Sequence, residues 1–143
     1  MSNRLRGNDV INGTFGRIWV NNQLWAECKS FEAKVTGEFE DVTFCDDLST
    51  HSKYMGWTGE GTIVCHKVDS KITKMLQKAF KTGSMPDIKI VGKLDDPASY
   101  GAERVEILNV MFTEFTLMKF ASKEMGETEV PFKFSDYNTI DLI

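Results

Sequence analysis

Three cysteines, Cys28, Cys45 and Cys65, are all that the 143 residues contain. An odd number at wide spacing argues against a disulfide framework and fits reduced thiols in a cytosol. No apolar run approaches the ~20 residues that a membrane-spanning helix needs, so no stable insertion in a membrane is expected. The first residues lack the apolar core of a signal peptide, and synthesis without export is the simplest expectation. Histidine is scarce as well, with only His51 and His66. There is no Gly-x-Ser-x-Gly elbow, no glycine-rich loop followed by Lys-Ser/Thr and no His-Glu-x-x-His. These absences remove the common hydrolase, nucleotide and zinc-protease chemistries. The chain is expected to be no enzyme and to carry no catalytic residues, metal or cofactor.

The weaker candidates fall for physical reasons. Gly56, Gly59 and Gly61 resemble a phosphate loop only in spacing, because they sit inside a strand pattern with no helix directly after them. Cys45 with His51, and Cys65 beside His66, lack the short paired spacing of zinc ligands. Asp46 and Asp47 are neighbours in a loop, where two carboxylates seldom share a site. Trp19, Trp25 and Trp57 could stack bases, but the exposed strand positions carry glutamate as often as lysine, whereas a single-strand binder needs a basic groove. Core aromatics are the better reading.

What is present reads as one β-rich domain over 1–143. Hydrophobic residues make up 41% and charged residues 27%, enough apolar matter for a real core and enough charge for a soluble surface. Residues 1–14 are polar and aperiodic, and are expected to form an arm. Residues 16–20 read as a strand that turns at Asn21-Asn22-Gln23 into a second one starting at Leu24-Trp25. Along that second strand Phe31, Ala33, Val35 and Phe39 alternate with Ser30, Glu32, Lys34, Thr36, Glu38 and Glu40, the pattern of a sheet with one buried and one wet face. Residues 41–53 break the alternation and predict a long loop, with Phe44 and Leu48 too apolar for pure solvation. Another strand follows, with Thr58, Glu60 and Thr62 on one face.

The one convincing helix is expected over 69–82. Ile72, Met75, Leu76, Ala79 and Phe80 fall at helical spacing, Asp69 can cap the start and Gly83 the end. Lys71, Lys74, Lys78 and Lys81 lie off the stripe, as a solvated face or half of an acidic–basic contact. Residues 104–121 carry apolar side chains at both parities and predict two strands, or one strongly bent, covered on both faces. Val130, Phe132 and Phe134 mark a last strand whose Pro131 belongs at an edge or at an unpaired position. Residues 136–143 read as a tail.

Charge is blocked along the chain. Seven acidic residues between Glu27 and Asp47 face two lysines, and seven lysines between Lys67 and Lys93 face two aspartates. Such blocks attract within a molecule, or between copies head to tail.

Several stretches in series resemble one family. They are Gly16-Arg17-Ile18-Trp19-Val20, Ala26-Glu27-Cys28-Lys29-Ser30-Phe31-Glu32-Ala33-Lys34-Val35, Gly56-Trp57-Thr58-Gly59-Glu60-Gly61-Thr62, Lys67-Val68-Asp69-Ser70, Glu103-Arg104-Val105 and Val130-Pro131-Phe132-Lys133-Phe134. Together they resemble the tail tube proteins of contractile phage tails, above all PBSX-like prophage and diffocin-like R-type bacteriocin tubes. The resemblance implies a mainly β (α+β) subunit, an antiparallel sandwich or partial barrel with one flanking helix. Six copies would form a ring in which the sheets join into a larger barrel, and rings would stack head to tail. It further implies synthesis in a bacterial cytoplasm and a place in a virion tail or released bacteriocin. The implied partners are tail sheath, baseplate and tail-terminator proteins, with DNA only as passing cargo. Glu32, Lys34, Thr36, Glu38, Thr58, Glu60 and Thr62 become the expected lumen lining. Phe44, Asp46, Asp47, Leu48, His51 and Tyr54 become expected inter-subunit contacts. A monomeric small-ligand-binding β-barrel is the alternative that would also use the aromatics and glycines.

Overall fold

A computed structural model describes residues 6–98 and 100–142. Two 3₁₀ turns, Gly7–Asp9 and Gly13–Phe15, precede the strands β1 (Gly16–Val20) and β2 (Gln23–Leu24). The rest of the chain is β3 (Cys28–Val42), β4 (His51–His66), helix α1 (Lys71–Thr82), β5 (Ile88–Asp95), β6 (Ala102–Phe112), β7 (Glu127–Phe134) and β8 (Asp136–Asp141). The strands run in the order β2-β1-β5-β6-β7-β4-β3, with β8 also on β6, and every pairing is antiparallel. The mainly β expectation with one helix therefore holds. Of the expected N-terminal arm, residues 1–5 lie outside the described residues.

The sheet folds over at β6, which pairs with β5 on one side and with β7 and β8 on the other. The two halves face each other. Ile18, Val20, Ile88 and Ile90 from one half and Ile63, Val130 and Phe132 from the other share one buried cluster. The Phe31 ring of β3 lies over Gly92 of β5. Ile72, Leu76 and Ala79 of α1 are buried too, so the helix stripe covers this core.

Several elements differ from their sequence reading. Asn21 and Asn22 both take positive φ and make a two-residue turn, with Gln23, expected in the turn, already paired in β2, which ends after two residues. The chain then turns at buried Trp25 and crosses to the other half of the sheet, so β3 pairs with β4 and not with β1. The helix starts at Lys71. Asp69 Oδ1 accepts from Lys71 N at 3.1 Å, and Gly83 closes the C-terminus at φ 78 with its N–H on Ala79 O. Lys71 does not join the solvated lysine row. It turns inward to pair with Glu27 and lies over the Trp25 ring, tying helix to strand crossing.

The two-faced apolar pattern of 104–121 has a different cause from a doubly covered strand. Asn109 takes φ 55 and β6 bulges there, so Ile107 and, beyond the bulge, Val110 and Phe112 reach the same core from opposite parities. After Phe112 the chain leaves the sheet, and no second strand forms over 113–126. Of the tail expected over 136–143, Asp136–Asp141 form β8, and residue 143 lies outside the described residues. Met111 pairs with Lys133 and Leu108 with Asp136, so the register along β6 runs unbroken past Ser135, and β7 and β8 act as one kinked strand.

Pro131 sits within the sheet, not at an edge. Its carbonyl accepts from Thr113 N at 3.0 Å. Its nitrogen faces the same side, so the reciprocal bond to Thr113 O is the one it cannot donate, and the β6–β7 ladder ends there.

Candidate functional site

The site is built on β3 and β4, a hairpin that outgrows its domain. β4 pairs with β7 only from Gly59 to His66. The remainder of β4, with the facing part of β3, projects as a two-stranded arm of about 25 Å at the usual strand rise. The loop expected over 41–53 is shorter than its sequence suggests. Asp41 pairs with Ser52 and Val42 with His51, which leaves only residues 43–50 as loop.

One face of this hairpin is polar from Glu32 to Glu40. Glu32 lies opposite Thr62, Lys34 opposite Glu60, Thr36 opposite Thr58 and Glu38 opposite Gly56. All seven residues expected to line a lumen thus come together on one surface. Lys34 Nζ stands 3.8 Å from Glu60 Oε1, with both groups in solvent, a contact that contributes at most about 1 kcal/mol. The same face continues through Glu40 opposite Lys53, and onto β7, where Pro131 pairs with Thr62 and Lys133 with Glu60. Lys133 and Glu129 belong to the surface although they were not expected there. The alternation of Val130, Phe132 and Phe134 turns them to the wet side, but only the pairing of β7 with β4 shows which wet side it is. Carboxylates outnumber ammonium groups on the face: Glu32, Glu38, Glu40, Glu60 and Glu129 against Lys34, Lys53 and Lys133.

The opposite face explains the glycines and aromatics. The ring of Phe134 occupies the place of a side chain at Gly59, and that of Phe132 the place at Gly61. Trp57, Phe134 and Tyr137 pack on one another, Tyr137 edge to face with both and Trp57 tilted against Phe134, with centroids 5.4 to 6.4 Å apart. The residues that would have suited a ligand-binding barrel pack on one another here.

Backbone direction defines the free edge. His66 N donates to Glu27 O at 3.0 Å, so the even-numbered residues of β4 from Gly56 to His66 turn their backbone groups toward β3. Their partners Glu32, Lys34 and Thr36 carry the hairpin's hydrogen bonds. Phe31, Ala33 and Val35 turn their N–H and C=O outward, where no described strand pairs with β3.

The arm's end brings the other expected residues together. Phe44 and His51 meet edge to face at 5.3 Å, and Phe39 and Tyr54 at 5.5 Å. Leu48 is fully exposed and Phe44 largely so. Asp46 takes φ 64 at the turn. Asp47 holds the loop: Oδ2 lies 2.8 Å from His51 Nε2, while Oδ1 accepts from Ser49 N at 2.9 Å and Ser49 Oγ at 2.7 Å. The His51 contact first, then Ser49, holds the Asp47 carboxyl down at about 2. A depressed carboxylate contributes order that is complete above its ordinary value and lost as pH falls through the folded one. The Ser49 amide resonance should therefore keep its neutral-pH position at about pH 3 while the fold is intact, and move only near pH 2. Movement centred near the ordinary carboxylate value would show that the network does not form.

A third surface was not foreseen. Leu117, Met118, Phe120 and Met125 are each at least 75% exposed in the segment after β6. The sequence pattern places Leu117, Met118 and Phe120 in a covered strand and Met125 in a turn. Four large apolar side chains instead stand in solvent within one short segment.

A family model described as phage tail tube protein matches residues 3–141. The phage-like element PBSX protein XkdM of Bacillus subtilis (strain 168) is 32% identical over 136 residues, spanning 94% of this chain and 92% of that protein. The protein YqbM of the same organism matches to the same extent. Among solved structures, the chain is similar to one from the sheath–tube complex of an extracellular contractile injection system in its extended state. There the TM-score is 0.74 at 9% identity, over 93% of both chains. It is also similar to a chain of the anti-feeding prophage tube-terminating cap, with TM-score 0.75 at 8% identity over 98% of this chain and 97% of that one. At these identities the likeness to solved structures is one of fold.

Proposed function

The chain belongs to the phage tail tube protein family and is a structural subunit of a tail tube, and from that premise we propose that six copies close into a ring and rings stack into the hollow conduit of a contractile tail. The observation that carries the reading is β3, a strand of 15 residues with a polar face on one side and an outer edge that no described strand covers. A ring gives that edge a partner, the neighbouring subunit's sheet, and so removes an edge that would otherwise invite aggregation.

A barrel shared by six subunits is too wide for side chains to fill, so its inner wall is wet. The hairpin face of Glu32, Lys34, Thr36, Glu38, Thr58, Glu60 and Thr62 supplies that wall. Its carboxylate excess and hydroxyls repel phosphates, which suits a channel that DNA passes without sticking. The role is passive, with no catalytic step. Helix α1 lies on the outside, and Lys74, Lys78 and Lys81 face the sheath. Sheath, terminator and baseplate assemblies hold the chains of similar fold, which supports the same classes of partner here. The particle is a virion tail or a released bacteriocin.

Ring stacking uses the arm. Phe44 and Leu48 gain burial only when the tip meets the next ring, with Asp46, Asp47, His51 and Tyr54 around them. Replacing both Phe44 and Leu48 by serine should raise the protein concentration needed for tubes at least ~10-fold, since burying each apolar side chain contributes on the order of 1.5–3 kcal/mol. Electron microscopy across a concentration series reads the effect, with circular dichroism unchanged. Tubes at the wild-type concentration would remove the tip from the stacking contact. Loss of the monomer's fold would place the two residues in the subunit core.

A further inference from the structure

The root of the hairpin carries a feature that tube assembly does not use. Cys28 and Cys65 are direct partners across β3 and β4. Glu27 and His66, one step away, share a backbone hydrogen bond, so the cysteines occupy a non-hydrogen-bonded position. At such positions the Cα atoms stand about 4.5 Å apart and the side chains lean together. That separation lies inside the ~4.4–6.8 Å window of disulfides. The two thiols are close enough to shift each other's acidity in opposite directions. We propose that Cys28 and Cys65 are an oxidisable pair, a disulfide site that a small disulfide oxidant closes across the hairpin root.

The bland alternative is two small side chains filling the core. Cys65 is indeed 3% exposed and belongs to the buried cluster. Cys28 differs. It is half-buried at the edge of the core, with Sγ 3.4 Å from Ser30 O, next to a bulge that interrupts the ladder between Cys28 and Ser30. An oxidant can reach Cys28 first. The neighbouring Cys65 thiol holds Cys28 below the ordinary thiol value, while its own is pushed up by Cys28 and by burial. Cys28 is thus the attacking thiol and Cys65 the resolving one.

With oxidised glutathione as the oxidant, the Cys28 thiol gives its proton to solvent and the thiolate attacks one glutathione sulfur. The glutathione S–S bond breaks and one glutathione thiolate leaves. Cys65 then loses its proton, attacks the Cys28 sulfur of the mixed disulfide and expels the second glutathione thiolate. Two cysteine thiols are oxidised to one disulfide, and one oxidised glutathione is reduced to two thiols. The bond would fix β3 to β4 where the bulge leaves the ladder open. Cys45, exposed in the tip loop roughly 45 Å along the arm, is an internal reference.

The test exposes the reduced full chain to oxidised glutathione, quenches under denaturing conditions with an alkylating agent and maps the peptides by mass spectrometry. The expected result is a Cys28–Cys65 linkage within single chains, at a rate independent of protein concentration, and absent from Cys28→Ser. Hydrogen exchange at the Ser30 and Val64 amides should slow at least ~10-fold in the oxidised chain, the sign of a restrained root. Recovery of both Cys28 and Cys65 alkylated, while Cys45 is glutathionylated or cross-linked between chains, would overturn the proposal. So would oxidation of Cys65 at an undiminished rate in Cys28→Ser.

Discussion

Replacing Gly61 by alanine is expected to cost the subunit about 3 kcal/mol or more, a drop in melting temperature on the order of 10 °C. A Cβ at this position would stand 2.2 Å from Glu32 O, 2.5 Å from Phe132 Cζ and 3.0 Å from Ala33 Cα. Two of the three are backbone atoms of the neighbouring strand, which cannot rotate away. Phe132 is buried and packs against Phe31, Phe112 and Phe134, so its ring has nowhere to go. Against this stands the gain of about 0.4–1 kcal/mol from a less flexible unfolded chain, which is too small to reverse the sign. Gly59→Ala should cost less, on the order of 1–3 kcal/mol. There the close atoms all belong to the Phe134 ring, which is nearer the rim of the core and can tilt. Urea denaturation of both variants checks the order. Equal losses, or a larger loss at Gly59, would show that the clash with the β3 backbone is relieved by a shift of the strands.

Val35→Pro should leave a folded monomer that forms no rings. Val35 lies opposite Gly59 at a position where β3 turns its N–H away from β4. Proline there removes no bond of the hairpin, but deletes a donor from the free edge and sets a ring in the path of an incoming strand. Each ring would contain the defect six times under the proposed symmetry, so the expected effect is loss of assembly and not a graded shift. Lys34→Pro is the contrast. Its N–H faces Glu60, so that variant should unfold the hairpin itself. Size-exclusion chromatography with circular dichroism separates the two outcomes. Wild-type assembly by Val35→Pro would mean that no neighbouring strand pairs with this edge.

Legibility in the sequence tracked burial only in part. Helix α1 could be read because three of its side chains are buried at helical spacing. β3 could be read from its alternation alone: Phe31 is half-buried, but Ala33, Val35 and Phe39, expected on a buried face, are exposed in the subunit. The arm beyond could not. Its strand residues Asp41, Val42, His51, Ser52 and Lys53 project past the core, so no buried face imposes a period and they read as loop. β8 failed for a related reason, since all six of its residues are exposed and, apart from Tyr137 against Trp57 and Phe134, the backbone ladder to β6 defines it. Residues 104–121 misled differently. A bulge at Asn109 swaps the parity that faces the core, and the exposed apolar segment beyond looks like further strand. For the candidate surface, the sequence placed Thr58, Glu60 and Thr62 on one face and Glu32, Lys34, Thr36 and Glu38 on another stretch. It could not show that register sets Thr36 against Thr58. Nor could it show that β7 adds Glu129 and Lys133.

Cryo-electron microscopy of the assembled protein, at a resolution that traces side chains, tests the central claim most directly. The expected image is a hollow tube of stacked six-fold rings. Glu32, Lys34, Thr36, Glu38, Thr58, Glu60 and Thr62 should line the channel, and the residue 43–50 tips should be seated on the adjacent ring. A tube with that hairpin face on its outer surface or sealed between subunits would contradict the account, as would a protein that stays monomeric at every concentration.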